Sequence, residues 1–313
     1  MPTFPREFTA SAFACRLGRK LCTGNIMPRQ LCLIHANCQG DMLQRLLECS
    51  PAFAQRFTIR KFTNYLREPI PPELFDRCAL FLYQNLDPHW GELASANLLA
   101  RLGPSTHVLR IPNMFFNGYW PLWTNKTSTD YGDMLLEHLV AQGLQAPQIL
   151  HLYLRGRINA MFDLDALFAA SQAKEEAKER DIPIPTLPLV RELWREEQLF
   201  YTINHPGPRL LLHVANSVLQ LLGFPRLDAS VEKALHARHE PFELPIHPQV
   251  GAHFGFALAP AERRYQVYGQ RMTHAQYAAA YVGFKTQTGP DPIESFIGYL
   301  HVLTVRDLAG GAS

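Results

Sequence analysis

The stretch Leu31-Cys32-Leu33-Ile34-His35-Ala36-Asn37-Cys38-Gln39-Gly40-Asp41-Met42-Leu43-Gln44-Arg45-Leu46-Leu47 decides the fold. It opens as a short apolar run over 31–36 that stops at a polar cluster, the pattern of a buried strand. From Gly40 onward apolar residues fall at 42, 43, 46 and 47, which is helical spacing. A strand therefore runs into a helix through Asn37-Cys38-Gln39-Gly40. Similar units follow. Phe57 to Phe62 alternates as a second strand, and Pro71-Pro72-Glu73 opens a short helix. Ala79 to Tyr83 is a third strand ending in Gln84, Glu92 to Leu102 reads as helix, and His107 to Ile111 is a fourth strand stopped by Pro112. Such alternation predicts an α/β fold with a small, mostly parallel sheet flanked by helices. Polar residues sit just past three strand ends: Asn37 and Cys38, Gln84 and Asn85, and Asn113. In open α/β sheets ligands bind at the carboxyl ends of the strands, so these segments are expected to converge on one site.

Beyond Tyr131 the pattern is largely helical, over 133–142, 149–154, 164–179, 189–200 and 209–222. The charged run 174–180 reads as a solvated helix end, and Asn204-His205-Pro206 as a helix entry with Asn204 capping and Pro206 at the first helical position. The expected organisation is a poorly ordered leader over 1–26, an α/β core over 27–130 with the Cys38 turn, and a mainly helical portion over 131–313 that completes the site.

The bulk properties narrow the function classes. The chain has 313 residues, 47% hydrophobic and 19% charged, so a sizeable core is expected and global disorder is not. Its formal charge is +2 with no dense Lys/Arg run, which argues against a nucleic-acid partner. Apolar stretches are too short for a transmembrane segment, so membrane attachment would be peripheral. The six cysteines, at 15, 22, 32, 38, 49 and 78, form no CxxC pair, and reduced thiols with a cytoplasmic location are the default expectation. His236, His239, His247 and His253 lack a ligand pattern with a carboxylate, so no metal is expected. No Walker-type or GxGxxG loop is present.

A cysteine between a strand and a helix sees unpaired N–H groups and the positive end of the helix dipole. This predicts a lowered thiol pKa, partly opposed by Asp41. The N–H groups of Gln39 and Gly40 would be open to an oxyanion or phosphate, and Gly40 would let backbone approach a ligand. The plainer reading is a small buried thiol, which suits Cys32, Cys49 and Cys78.

Ile34-His35-Ala36-Asn37-Cys38-Gln39-Gly40, followed by Leu43 and Leu46-Leu47, resembles the opening of the WcbI-type polysaccharide biosynthesis family, with Ala36 where that family has Gly. Three further blocks carry the resemblance in order: Leu82-Tyr83-Gln84-Asn85, Arg110 to Pro121 with its Pro-Asn and Gly-Tyr-Trp-Pro elements, and Asn204-His205-Pro206. The match runs from about residue 30 to about residue 223. The resemblance implies binding of coenzyme A or acetyl-CoA and O-acetylation of a capsular polysaccharide sugar, a heptose. It also implies an architecture distantly similar to the SGNH hydrolases, with Cys38 where their serine stands, and a place peripheral to a capsule assembly complex. On this reading Cys38, His205 and Asn113 are the catalytic candidates, with His205 as general base and His35 its rival. Asn37, Gln39, Gly40, Gln84, Asn117, Arg155 and Arg157 are candidates for CoA binding, with Arg263, Arg264, Arg271 and Lys285 as further cations. Phe115, Phe116, Tyr119, Trp120 and Trp123 would either stack a sugar or adenine or pack on the core. An SGNH-like esterase or deacetylase, or a non-catalytic CoA- or glycan-binding protein, is the alternative.

Overall fold

The computed structural model describes residues 28–126, 131–237, 240–256, 258–287 and 293–310, with side chains up to 303. The leader 1–26, its two cysteines and His239 lie outside the described residues. Four strands, β1 (Gln30–Ala36), β2 (Phe57–Thr63), β3 (Cys78–Tyr83) and β4 (His107–Arg110), form one sheet in the order β2-β1-β3-β4. All of its pairings are parallel, so every carboxyl end lies on one edge. The chain builds β2 on one side of β1 and then crosses to build β3 and β4 on the other. Connections leaving β1 and β3 therefore diverge, and a crevice opens between them.

The period-two alternation of β1 divides the core. Cys32, Ile34 and Ala36 face a large cluster together with Leu80 and Leu82 of β3. Leu33 faces a smaller one with Phe62, Leu74, Phe75 and Phe81. Helix α1 (Gln39–Glu48) covers the large-cluster face through buried Leu43, Leu46 and Leu47, each such side chain contributing about 2 kcal/mol of burial. The amphipathic helix Pro208–Leu221 packs against α1 and closes that side. The same large cluster continues through Tyr153, Trp194, Tyr265 and Tyr281, so the helical second half shares its core with the sheet. No helix among the described residues is long and apolar enough to cross a membrane.

Three sequence expectations need correction. The helix expected over 92–102 is two short pieces, a 3-10 turn at Pro88–Leu93 and a helix at Ser95–Leu99. Gly91 takes φ +62°, and Ser95 is held back on Leu86 by hydrogen bonds of 2.8 and 3.0 Å. The helix expected over 189–200 is Leu187–Leu193. The Tyr119 hydroxyl lies 2.7 Å from the Trp194 carbonyl and 2.9 Å from that of Glu197, and Phe200 enters a strand, Phe200–Thr202. Asn204 does not cap a helix and Pro206 is not its first residue. His205–Pro206 pairs antiparallel with Phe200–Thr202, and the next helix starts at Pro208 with Gly207 as its cap. The second proline two residues on supplies the preset φ in place of Pro206.

Candidate active site

The turn after β1 is tied to three other segments, by the side chains of Gln84 and Asn113 and by the backbone carbonyl of Asn204. Gln84 extends the ladder of β3, its N–H donating to the His35 carbonyl at 3.0 Å. Its side-chain Oε1 accepts from the Asn37 N–H at 2.8 Å, and its Nε2 donates to the Pro112 carbonyl at 3.0 Å. The Asn37 side chain accepts from the Gln39 N–H at 2.9 Å and donates to Asn113 Oδ1 at 3.0 Å. Gln39 Oε1 accepts from the Met114 N–H at 3.0 Å, while its Nε2 donates to the carbonyls of Met114 at 2.7 Å and Asn204 at 2.9 Å. A backbone N–H can only donate and a carbonyl only accept, so each glutamine amide has one permitted orientation. Gln39 and Gln84 are buried, at 6% and 1% exposure, and their polar ends are consumed within the protein. Asn113 is exposed; its Oδ1 is occupied, which leaves its amide N–H groups for a ligand. Beside the turn lies a cleft with about 270 Å³ of empty space, lined by Gln39, Gly40, Leu43, Met114, Leu211 and Val214.

Four sequence blocks, the first and last bonded across a separation of 165 residues, thus meet at one strand edge. The family model for the polysaccharide biosynthesis enzyme WcbI matches residues 31–227, the span that contains all four. The chain belongs to the WcbI family. A solved structure of WcbI, described as a novel polysaccharide biosynthesis enzyme in its native form without a disulfide bond between CoA and one of its cysteines, shares the fold. Its TM-score is 0.68 at 18% identity, covering 90% of this chain and 96% of that one. No curated protein matches the chain.

Within this WcbI-family turn the N–H groups of Gln39 and Gly40 are not open to an oxyanion, contrary to expectation. Asn37 takes both, the first on its side chain and the second on its carbonyl at 3.0 Å. Gly40 serves helix packing: a Cβ there would meet Ala36 Cβ at 2.8 Å and Ile34 Cγ2 at 3.4 Å. The expected drop in the Cys38 pKa is also reversed. Burial pushes the thiol up, and the Asp41 carboxylate adds to it. The Lys61 ammonium and the N–H groups of residues 38 and 39 pull it down less strongly. The helix is only ten residues long and its first N–H groups are already satisfied, so little positive potential remains for the half-buried sulfur.

The histidines separate cleanly. His205 follows Asn204, the residue tied to Gln39, and is partly buried; burial lowers its pKa to about 4. The imidazole is therefore neutral at physiological pH and able to accept a proton. His35 falls on the Leu33 face by alternation, away from α1, with both ring nitrogens buried and unpartnered. Burial likewise lowers its pKa to about 4, the signature of a core histidine.

The remaining candidates make no hydrogen bond or ion pair with the turn. Asn117 keeps a buried Oδ1 with no partner, and Gly118 is required because a Cβ would meet the Phe116 ring at 2.3 Å. Phe116, Tyr119 and Trp120 are buried in an aromatic cluster with Trp194 and Phe200, whereas Phe115 and Trp123 are half-buried. Arg155 and Arg157 are exposed where helix Ala146–Arg155 ends, with no ion pair or hydrogen bond to the turn. Arg263 bonds Gln198, Arg264 bonds the Arg271 carbonyl and Lys285 pairs with Glu137 at 2.9 Å, all within the second half. Among the described residues no group of three or more potential ligands could hold a metal.

Sequence reasoning missed three cations. Lys61 on β2 donates to Asp41 at 2.7 Å and Thr63 at 2.9 Å, and its charge acts on Cys38. Lys178 sits 5.1 Å from the Phe115 ring, next to the Asn113 loop, and Arg110 at the end of β4 donates to the Lys178 carbonyl. The run 174–180 thus returns to the site edge.

Proposed function

We propose that this chain is an acetyl-CoA-dependent O-acetyltransferase acting on a hydroxyl of a capsular polysaccharide sugar, a heptose, in the cytoplasm. The observation that carries the reading is the convergence of Asn37, Gln39, Gln84, Asn113 and Asn204 on the Cys38 turn in a WcbI-family fold. The CoA and the cysteine named together for the structural neighbour support placing a thioester at this turn. The residues present suit such a group. The cleft by Leu43, Leu211 and Val214 is apolar enough for an acetyl methyl. Lys61, Arg110 and Lys178 join Arg155 and Arg157 as candidates for the phosphates.

In this reading neutral His205 removes the proton from the sugar hydroxyl as its oxygen attacks the acetyl carbonyl carbon. Asn113 offers its amide N–H to the carbonyl oxygen as charge develops there, and Asn117 orients the donor. The carbon–sulfur bond of the donor breaks, and His205 returns the proton to the departing thiolate. Cys38, with its raised pKa, stays a thiol at the turn beside the cleft, which favours direct transfer over an acetyl-Cys38 route. Gln39 and Gln84 act by positioning Asn37, Asn113 and Asn204. Thermal-shift titration with CoA, acetyl-CoA and acetate esters tests the reading. Stabilisation by both CoA species is expected, and no shift with either overturns it. Cys38→Ala retaining transfer activity supports the direct route, and complete loss together with a trapped acetyl-Cys38 refutes it.

A further inference from the structure

A second cavity, with about 540 Å³ of empty space measured to its open mouth, lies in the second half of the chain. Trp120, Trp123, Tyr131 and Tyr277 contribute aromatic walls, and Asp133 and His247 the polar ones. No Lys or Arg is among the described residues that line it.

The proton positions around this cavity follow from the hydrogen bonds. Asp133 Oδ1 accepts from the N–H groups of Leu135 at 2.9 Å and Leu136 at 3.0 Å, and its Oδ2 from the Tyr153 hydroxyl at 3.1 Å. The Tyr153 oxygen, having donated, accepts from His274 Nε2 at 3.3 Å. This part of the wall is satisfied. His247 is not. Its Nδ1 accepts from the Gln249 N–H at 3.1 Å, so the hydrogen of the neutral ring is on Nε2. Burial holds that ring neutral by lowering its pKa to about 4; the nearby Tyr153 carbonyl opposes the shift but makes no hydrogen bond with Nε2. The residue is 7% exposed, and Nε2 is left a buried donor without a partner. Such a donor is costly unless a ligand oxygen takes it.

A ligand for this wall accepts one neutral hydrogen bond, stacks on indole and phenol faces, and carries no anionic group, since no cation faces it. A sugar ring meets all three demands through its hydroxyl oxygens and its apolar C–H face. The cavity is also linked to the Cys38 turn. Trp123 packs on Phe115 at 5.3 Å, next to Met114, which bonds Gln39. Tyr131 donates to Thr202 at 3.5 Å, and Thr202 to Asn204 at 3.2 Å, immediately before His205. We infer that this cavity is a binding site for a neutral sugar unit of the acceptor, with Trp123 and Tyr131 stacking the ring and His247 Nε2–H donating to a ring hydroxyl. The assignment as acceptor site rests on the transferase reading above; the sugar site itself does not.

The experiment titrates the full chain with neutral hexoses and heptoses, followed by saturation-transfer NMR and tryptophan fluorescence. Inorganic phosphate and choline serve as charged comparisons, and CoA thermal shift is recorded in parallel. At least one sugar is expected to bind saturably and neither charged probe to compete. His247→Asn keeps an oxygen to cap the Gln249 N–H but is too short to place an N–H where Nε2 stands, and His247→Phe keeps the ring shape with no donor at all. Both are expected to weaken the sugar about tenfold while the CoA shift is unchanged. Trp123→Leu, at a half-buried wall position, is expected to do the same if either histidine variant fails to fold. Sugar binding without a CoA response would overturn the transferase reading and leave this site standing. No sugar binding, binding of choline or phosphate instead, or sugar binding untouched by these substitutions would overturn the inference.

Discussion

Replacing Gln39 by glutamate probes the network with almost no change in shape. The amide nitrogen of Gln39 faces two carbonyl oxygens, Met114 O at 2.7 Å and Asn204 O at 2.9 Å, in a site 6% exposed. A carboxylate there loses two hydrogen bonds at about 1 kcal/mol each and leaves a buried charge facing two acceptors, a further 1–3 kcal/mol. We expect Gln39→Glu to cost about 4 kcal/mol at pH 8, or roughly 6 °C in Tm for a chain of this size. The sign with pH follows. Carbonyls and burial raise the folded pKa of the new carboxyl above its unfolded value of about 4.3. The penalty is therefore smallest below that value, where a protonated oxygen can donate to one carbonyl, and grows as pH rises through the folded pKa. The assay is the difference in Tm between variant and wild type at pH 5 and pH 8, so that the wild type's own acid sensitivity cancels. A loss under about 1 kcal/mol at pH 8, or a larger loss at pH 5 than at pH 8, would refute the assignment of Gln39 as the tie between the three segments.

Gly40→Ala should destabilise by about 2 kcal/mol in thermal unfolding, and Ala36→Gly in the same chain should recover most of it, because the clash is between the two Cβ atoms at 2.8 Å; additive losses would refute this. His35→Leu should reduce acid destabilisation. The folded pKa of His35 is held down at about 4, so its contribution is present above about pH 6.5 and lost as pH falls toward 4. That is roughly 3 kcal/mol that the variant should no longer lose, measured by Tm against pH. Cys38 should react with iodoacetamide with a pH midpoint above the ordinary thiol value, and Lys61→Met should move it higher still, since the ammonium is the main charge favouring the thiolate. A midpoint near 7 would restore the nucleophile reading.

The strands of the first half were legible in the sequence because each is a short apolar run closed by a polar residue. The Asn37-Cys38-Gln39 turn was legible because amides flank a thiol where an apolar run stops. The helices were less so. Glu92 to Leu102 has helical spacing, but Gly91 and the bonds between Ser95 and Leu86 divide it. Pro206 suits a helix start as well as Pro208 does, and pairing of His205 with Thr202 decides between them. The arginines proposed for CoA were chosen by type alone, and sequence distance says nothing about which cations reach the turn.

Sequence by itself determined that a cysteine, flanked by amides, ends the first strand, and that four ordered blocks place the chain in the WcbI family. Only the tertiary structure decided what those groups are free to do. Hydrogen-bond capacity is finite. Once Asn37 takes the Gln39 and Gly40 N–H groups, and Gln39 and Gln84 spend their amides on Met114, Asn204, Asn37 and Pro112, Asn113 remains to meet a ligand. Burial is likewise a property of the folded chain: it raises the Cys38 thiol, keeps His205 neutral and leaves His247 Nε2 without a partner in a cavity assembled from distant segments.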